Sequence, residues 1–136
     1  MQVQPYLFFD GKCDEALGFY QRALGAKVQT LMRWKEAPDQ SMITPGQENK
    51  VMHSELQIGE TVILASDGRG TGKPNFQGFS LTITAANDAE AKRIFNALGD
   101  GGQVHMPLDK SFFASSFGMV ADRFGVGWMV IVPLPH

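Results

Sequence analysis

One order of elements, β-α-β-β-β, is written twice along these 136 residues. A repeat of this kind restricts the fold more than any single motif does. The first copy opens with an apolar run, Val3 to Phe9. A helical stretch from Lys12 to Leu24 follows. Its residues Cys13, Leu17, Tyr20 and Leu24 recur every three to four positions, the spacing of one buried helix face. Gly25 suits a left-handed C-cap. Strand-like runs then cover Lys27 to Trp34, Val51 to Ile58 and Thr61 to Ser66, with Gly59-Glu60 as a tight hairpin turn. The second copy starts with a strand from Gly78 to Thr84. Asn87 is placed to cap a helix, and Glu90 three residues on completes a capping box. Ala91, Ile94, Phe95 and Leu98 form the helix face, and Gly99, Gly101 and Gly102 end it. Strands are expected over Gln103 to Met106, Phe117 to Asp122 and Gly127 to Val132.

The segments Lys35 to Lys50 and Asp67 to Gln77 are rich in Pro, Gly and polar residues and read as exposed loops. The expected architecture is therefore α+β: a single domain of paired βαβββ modules, about 1–67 and 78–136, joined by a linker at about 68–77. A module with one helix and an open sheet leaves one sheet face uncovered, so two such modules are expected to form a cleft between open mixed sheets.

Alternation assigns the faces of the strands. In Val51 to Ile58, one side carries Met52, Ser54, Leu56 and Ile58 and reads as the helix side. The other carries Val51, His53, Glu55 and Gln57 and faces either cleft or solvent. In Gly78 to Thr84, Phe79, Leu81 and Ile83 make an apolar face, and Ser80, Thr82 and Thr84 a polar one.

Composition excludes several partners. Hydrophobic residues make up 43% and charged residues 19%, enough for an ordinary core. With 12 basic against 14 acidic side chains there is no cationic surplus to neutralise phosphates, so nucleic acid is not an expected partner. The start MQVQPYLFFD has no basic segment followed by an apolar run, and no apolar run reaches the roughly 18 residues of a membrane span, so no membrane is expected. The lone Cys13 fits a reducing compartment, and the expected location is cytoplasmic.

Three stretches resemble the PhnB-like branch of the glyoxalase/bleomycin-resistance/dioxygenase superfamily, the vicinal oxygen chelate fold. They are PYLFFDGKCDEALGFYQRALGA, KVMHSELQIGETVILASD and MPLDKSFFASSFGMVADRFGVGWMV; with GFSLTI they cover most of the chain. The resemblance implies paired βαβββ modules and frequent homodimers. It also implies a metal site in many relatives, with a His on the first strand of each module and a Glu on the last. Those positions fall at about Pro5, Leu64, Ser80 and Met129, none of which offers an imidazole or carboxylate. No metal is therefore expected there, and no cofactor is predicted. PhnB-like proteins also carry an old methyltransferase label, but the chain has no glycine-rich βα turn with a following acidic residue to hold S-adenosylmethionine.

His53 and Glu55, two apart on one strand face, are the candidate acid-base couple. They are equally two ligands of a metal site that would need a third from Asp122 or His105. A polar strand face with a hydrogen-bonded His is the plainer alternative. Trp34, Ser80, Thr82, Met106, Phe113, Phe117, Met119 and Met129 are the candidate ligand pocket, since apolar walls with a few polar groups suit a small molecule, although aromatics also build ordinary cores. Asp122 to Gly125 reads as a turn in which Asp122 caps backbone amides. Gly68 to Lys73 fails as a phosphate loop, because Asp67 and Pro74 stand where a Gly and a Ser or Thr are required. The expected function is small-molecule binding with an unassigned reaction. The alternative is a metal-dependent lyase, isomerase or dioxygenase with rearranged ligands around His53 and Glu55.

Overall fold

The computed structural model describes residues 1–69 and 73–135, so Gly70, Thr71, Gly72 and His136 lie outside the described residues. Contacts divide the chain into two compact units, one from Met1 to Pro74 and one that begins at Asn75. The first contains β1 (Tyr6–Phe8), α1 (Cys13–Leu24), β2 (Lys27–Arg33), β3 (Val51–Ile58) and β4 (Thr61–Ser66). The second contains β5 (Leu81–Thr84), α2 (Asp88–Gly99), β6 (Gln103–Asp109), β7 (Ala114–Ala121) and β8 (Gly127–Pro133). The sheets run β1-β4-β3-β2 and β5-β8-β7-β6, so both place the first strand beside the last, then the third, then the second. In both, the first and last strands are parallel and the other pairs antiparallel. The repeat read from the sequence is thus a repeat of topology, and the fold is α+β.

In the first unit, Cys13, Ala16, Leu17 and Tyr20 of α1 are buried, as are Leu7, Ser54, Leu56, Ile63 and Ala65 on the strands. The Cys13 Sγ lies 4.0 Å from the Ser54 Oγ, which places α1 against this face of β3. Gly25 ends α1 with φ 66°, a conformation that other residues adopt at a steric cost. In the second unit, Ala91, Ile94, Phe95 and Leu98 of α2 are buried with Ala114, Val120, Trp128 and Val130. The Asn87 side chain caps α2 by accepting from the Glu90 N–H at 2.8 Å. Glu90 reaches back to the N–H of Ala86, not to that of Asn87 as a full capping box has it.

Two buried carboxylates organise the units. Asp67 is 2% exposed; its Oδ1 accepts from the N–H groups of Gly11 and Cys13, and its Oδ2 from that of Val51. Lys12, the residue that precedes α1, makes no side-chain cap. Asp67 therefore supplies the cap from 54 residues away in sequence, with its negative charge at the helix N-terminus. Asp122 is 3% exposed and accepts from the N–H groups of Phe124 and Val126 and from the indole of buried Trp128. This is the amide-capping turn expected from the sequence, with Gly125 at φ 90°.

Several sequence expectations need correction. By simple alternation Val51 shares the face of His53, but it is fully buried: the register of β2 against β3 shifts between Met32–His53 and Arg33–Val51, which puts the two residues on opposite faces. The second module's first strand begins at Leu81 rather than Gly78. Phe79 precedes it and is 46% exposed, because Gly78 at φ 84° turns the chain and the alternation of β5 does not extend back that far. β6 runs on through Pro107 to Asp109, which an edge strand tolerates because the missing N–H disrupts no inner ladder. β7 starts at Ala114, three residues before the expected Phe117, and Asp122 lies in the turn beyond it. The first loop contains two 3-10 turns, Trp34–Glu36 and Gln40–Met42.

Replacing Asp67 by Ala leaves three N–H groups without their acceptor and should lower unfolding free energy by on the order of 3–5 kcal/mol, read from urea denaturation. A loss under about 1 kcal/mol would contradict the capping role. Burial, followed by the neighbouring Asp67 charge, pushes the Cys13 thiol up to about 12. The native protein at pH 8 should therefore resist Ellman's reagent, and the thiol should react at once in denaturant. Rapid labelling of the folded chain would show that Cys13 is not buried as described.

Candidate functional site

The strongest constellation of polar side chains lies on the face of the first sheet opposite α1. Cross-strand pairing sets Tyr6 of β1 beside Leu64 of β4, and Leu64 beside Glu55 of β3, in one row. Cross-strand partners share a face, so Tyr6, Leu64 and Glu55 all point away from the buried Leu7, Ala65 and Ser54. His53 lies two residues before Glu55 on the same side. Its Nδ1 is 2.9 Å from the Tyr6 hydroxyl, and its Nε2 is 3.3 Å from Glu55 Oε2.

These contacts select protonation states. Burial raises the Tyr6 phenol above its ordinary value, so at neutral pH it keeps its proton and donates to His53 Nδ1. With Tyr6 as donor, His53 Nδ1 is the acceptor and Nε2 the nitrogen that donates toward Glu55 Oε2. Tyr6 is 37% exposed, and the His53 and Glu55 side chains are 31% and 38% exposed. All three side chains are therefore partly exposed at this face. Phe8 stacks on Tyr6 with ring centroids 4.8 Å apart, 52% exposed on the same side. The site joins a flat aromatic shelf to a three-residue proton chain.

His53 and Glu55 are thus brought together as the sequence suggested, and the structure adds Tyr6 and Phe8. The signal for them was the period-two alternation of Tyr6 and Phe8 around buried Leu7 in β1. It was hidden because a strand this short reads only as part of an apolar run. Both residues proposed as a third ligand belong to the second unit. Asp122 has both oxygens engaged in its own turn, and His105 is exposed on β6. Among the described residues, no three His, Cys, Asp or Glu side chains gather as a metal site.

The residues expected to line a pocket divide between the units. Trp34 belongs to the first, where its indole N–H donates to the Gly68 carbonyl at 3.0 Å. In the second, the register Thr82–Met129–Met119–Met106 forms one row across β5, β8, β7 and β6, on the face opposite α2. The Thr82 hydroxyl lies 3.8 Å from the Met129 sulfur. Phe117 occupies the next row, and Phe113 packs edge-on against it at 5.1 Å. Ser80 lies before β5, close to Gly127, and does not join the row.

The superfamily's metal would draw on the first and last strands of each module. In this register the residue level with Leu64 is Tyr6, and the residue level with Met129 is Thr82; Pro5 and Ser80 fall outside the strands. A phenol, an alkyl group, an alcohol and a thioether are not a ligand set for a divalent metal that prefers imidazole and carboxylate. The residues present do not fit that group.

Comparison with known proteins follows the same lines. A model of the family described as 3-demethylubiquinone-9 3-methyltransferase matches residues 1–131. Protein YjdN of Escherichia coli K12 is 34% identical, covering 97% of this chain and 95% of its own. The crystal structure of PA1353 from Pseudomonas aeruginosa superposes with a TM-score of 0.87 at 38% identity, covering 98% of both chains. A PhnB protein from Bacillus cereus, described under the same methyltransferase name, superposes with a TM-score of 0.82 at 25% identity, covering 97% of this chain and 99% of its own. At 18% identity and a TM-score of 0.64, a glyoxalase-related enzyme from Fulvimarina pelagi shares the fold; coverage is 97% of this chain and 88% of that one. With the topology and these likenesses together, the chain belongs to the PhnB-like family described as 3-demethylubiquinone-9 3-methyltransferase.

Proposed function

We propose that this protein binds a small molecule on the open face of its first sheet and uses Tyr6, His53 and Glu55 to move a proton. The observation that carries this reading is the continuous hydrogen-bond chain from Tyr6 through His53 to Glu55, beside an exposed aromatic shelf. As a bound substrate loses a proton to the Tyr6 oxygen, the phenol proton passes to His53 Nδ1. The resulting imidazolium is held by the Glu55 carboxylate. Reversal returns a proton to the substrate, so the relay suits a proton transfer with no net consumption of acid or base. Phe8 would orient a flat or apolar portion of the ligand. The methyltransferase name of the family is not carried over, since no cradle for S-adenosylmethionine is recognised in the sequence. The row of Thr82, Met129, Met119 and Met106, with Phe113 and Phe117, is a second apolar wall of the kind that binds small molecules.

Screening of isotope-labelled protein against mixtures of small carbonyl and aromatic compounds, read by NMR, tests this. Ligands should shift the signals of Tyr6, Phe8, His53 and Glu55. Tyr6→Phe should weaken them by about tenfold, the worth of one hydrogen bond. Chelator should leave binding unchanged. Binding that is lost with chelator and restored by one divalent metal would replace this reading by the metal-dependent one around His53 and Glu55. Ligands that leave all four residues unperturbed would remove both.

We also propose a homodimer. Phe112 is 93% exposed, Phe113 42% and Met106 46%, and an uncovered apolar cluster of this kind marks an interface. Light scattering at micromolar concentration should give twice the chain mass, and Phe112→Asp with Phe113→Ser should halve it. A monomer in the unaltered protein would refute the pairing.

A further inference from the structure

A second site, of different chemistry, lies in the second unit on the helix side of its sheet. A groove of about 580 Å³ runs between α2 and the edge strand β6. Asp88, Lys92 and Asn96 line it at four-residue spacing, which places them in one row along α2. Asp109, Lys110, Ser115 and Ser116 line it from beyond the helix, and Phe95, Val104 and Leu108 give it apolar surface. Gly118 leaves the room for this packing: a Cβ there would stand 2.7 Å from the Phe95 ring and 2.9 Å from the Leu108 backbone.

The polar end of the groove is built rather than incidental. The register of β7 against β8 shifts between Ala114 and Ser116. Both adjacent serines consequently reach one oxygen, Asp88 Oδ1, each hydroxyl donating at 2.7 Å. Those two hydroxyls hold the Asp88 carboxyl below its ordinary value, so it stays ionised. Its other oxygen, Oδ2, takes no hydrogen bond among the described residues. Lys92 sits one helical turn on, yet forms no ion pair within 4.0 Å among the described residues, with Asp88 or any other carboxylate, and neither does Lys110. The groove therefore presents the oriented Asp88 Oδ2, the Asp109 carboxylate, two ammonium groups with no ion pair among the described residues, and an apolar surface.

We propose that this groove binds a small zwitterion of the amino-acid class, either a free amino acid or a dipeptide. The ligand ammonium is held by Asp88 Oδ2, its carboxylate by Lys92 and Lys110, and its side chain by Phe95, Val104 and Leu108. A zwitterion meets a charge of opposite sign at each end of the groove. This site is independent of the Tyr6–His53–Glu55 relay, and its failure would leave that reading untouched.

The test titrates the labelled full chain with L-leucine, L-leucyl-glycine, N-acetyl-L-leucine and L-leucinamide, following backbone amides by NMR. Leucine, the dipeptide or both should shift Asp88, Lys92, Lys110, Ser115 and Ser116, and the stronger of the two identifies the source. Blocking either charge should weaken binding by about tenfold or more. Lys92→Ala, an exposed helix position whose loss leaves packing intact, should weaken binding similarly, and so should Asp88→Asn. The proposal is overturned if neither zwitterion shifts these amides at millimolar concentration, or if the two blocked compounds bind as well as leucine. It is also overturned if Lys92→Ala, with an unchanged spectrum of its own, binds as the parent does.

Discussion

The first unit depends on one buried carboxylate. Asp67 stands just past β4, yet its oxygens bind the N–H groups that open α1 and the one that opens β3. It thus fixes where the helix begins relative to two strands distant in sequence. A carboxylate buried this far is costly unless its lone pairs are satisfied, and three N–H donors satisfy them. The consequence reaches the candidate site. Asp67 holds the start of β3, and the register shift just beyond it, between Arg33–Val51 and Met32–His53, turns Val51 to the core and His53 and Glu55 to the open face. Asp122 plays the matching part in the second unit, where it closes the turn between β7 and β8 and anchors the Trp128 indole.

The two sheets share a strand order but differ in what they present. The open face of the first carries a hydrogen-bonded chain of Tyr6, His53 and Glu55 beside Phe8. The same face of the second carries methionines, a threonine and aromatic rings. Duplication of a module preserves what topology requires, namely a buried helix face and the alternating core residues under it. The opposite face is free of that requirement, and there the two modules have diverged in chemistry. Tyr6 and Thr82, with Leu64 and Met129, occupy level positions on the first and last strands without an imidazole or carboxylate among them.

The groove beside α2 obeys a different constraint. Gly118, regular in its strand, leaves room where a Cβ would meet the Phe95 ring and the Leu108 backbone, and the register shift before Ser116 is a local departure from regular pairing. Together they bring Phe95 down onto the sheet and two serines to one carboxylate. Departures of this sort recur where a protein gives up regularity for a site.

The sequence by itself determined the order of elements, the helix faces, the αL cap at Gly25, the Asn87 cap and the turn at Asp122. All of these are local: they follow from periodicity and from the φ/ψ and hydrogen-bonding preferences of single residues. It also placed His53 and Glu55 on one strand face, because alternation is a property of the strand alone. The tertiary structure decided the rest. That Tyr6 meets His53 depends on β1 pairing with β4 and β4 with β3, a register 47 residues apart in sequence. That Val51 is buried depends on the register shift between β2 and β3, and that Asp88 meets Ser115 and Ser116 depends on a bulge across 27 and 28 residues. Register between distant strands is set by the summed packing of a whole core, which no window of sequence contains.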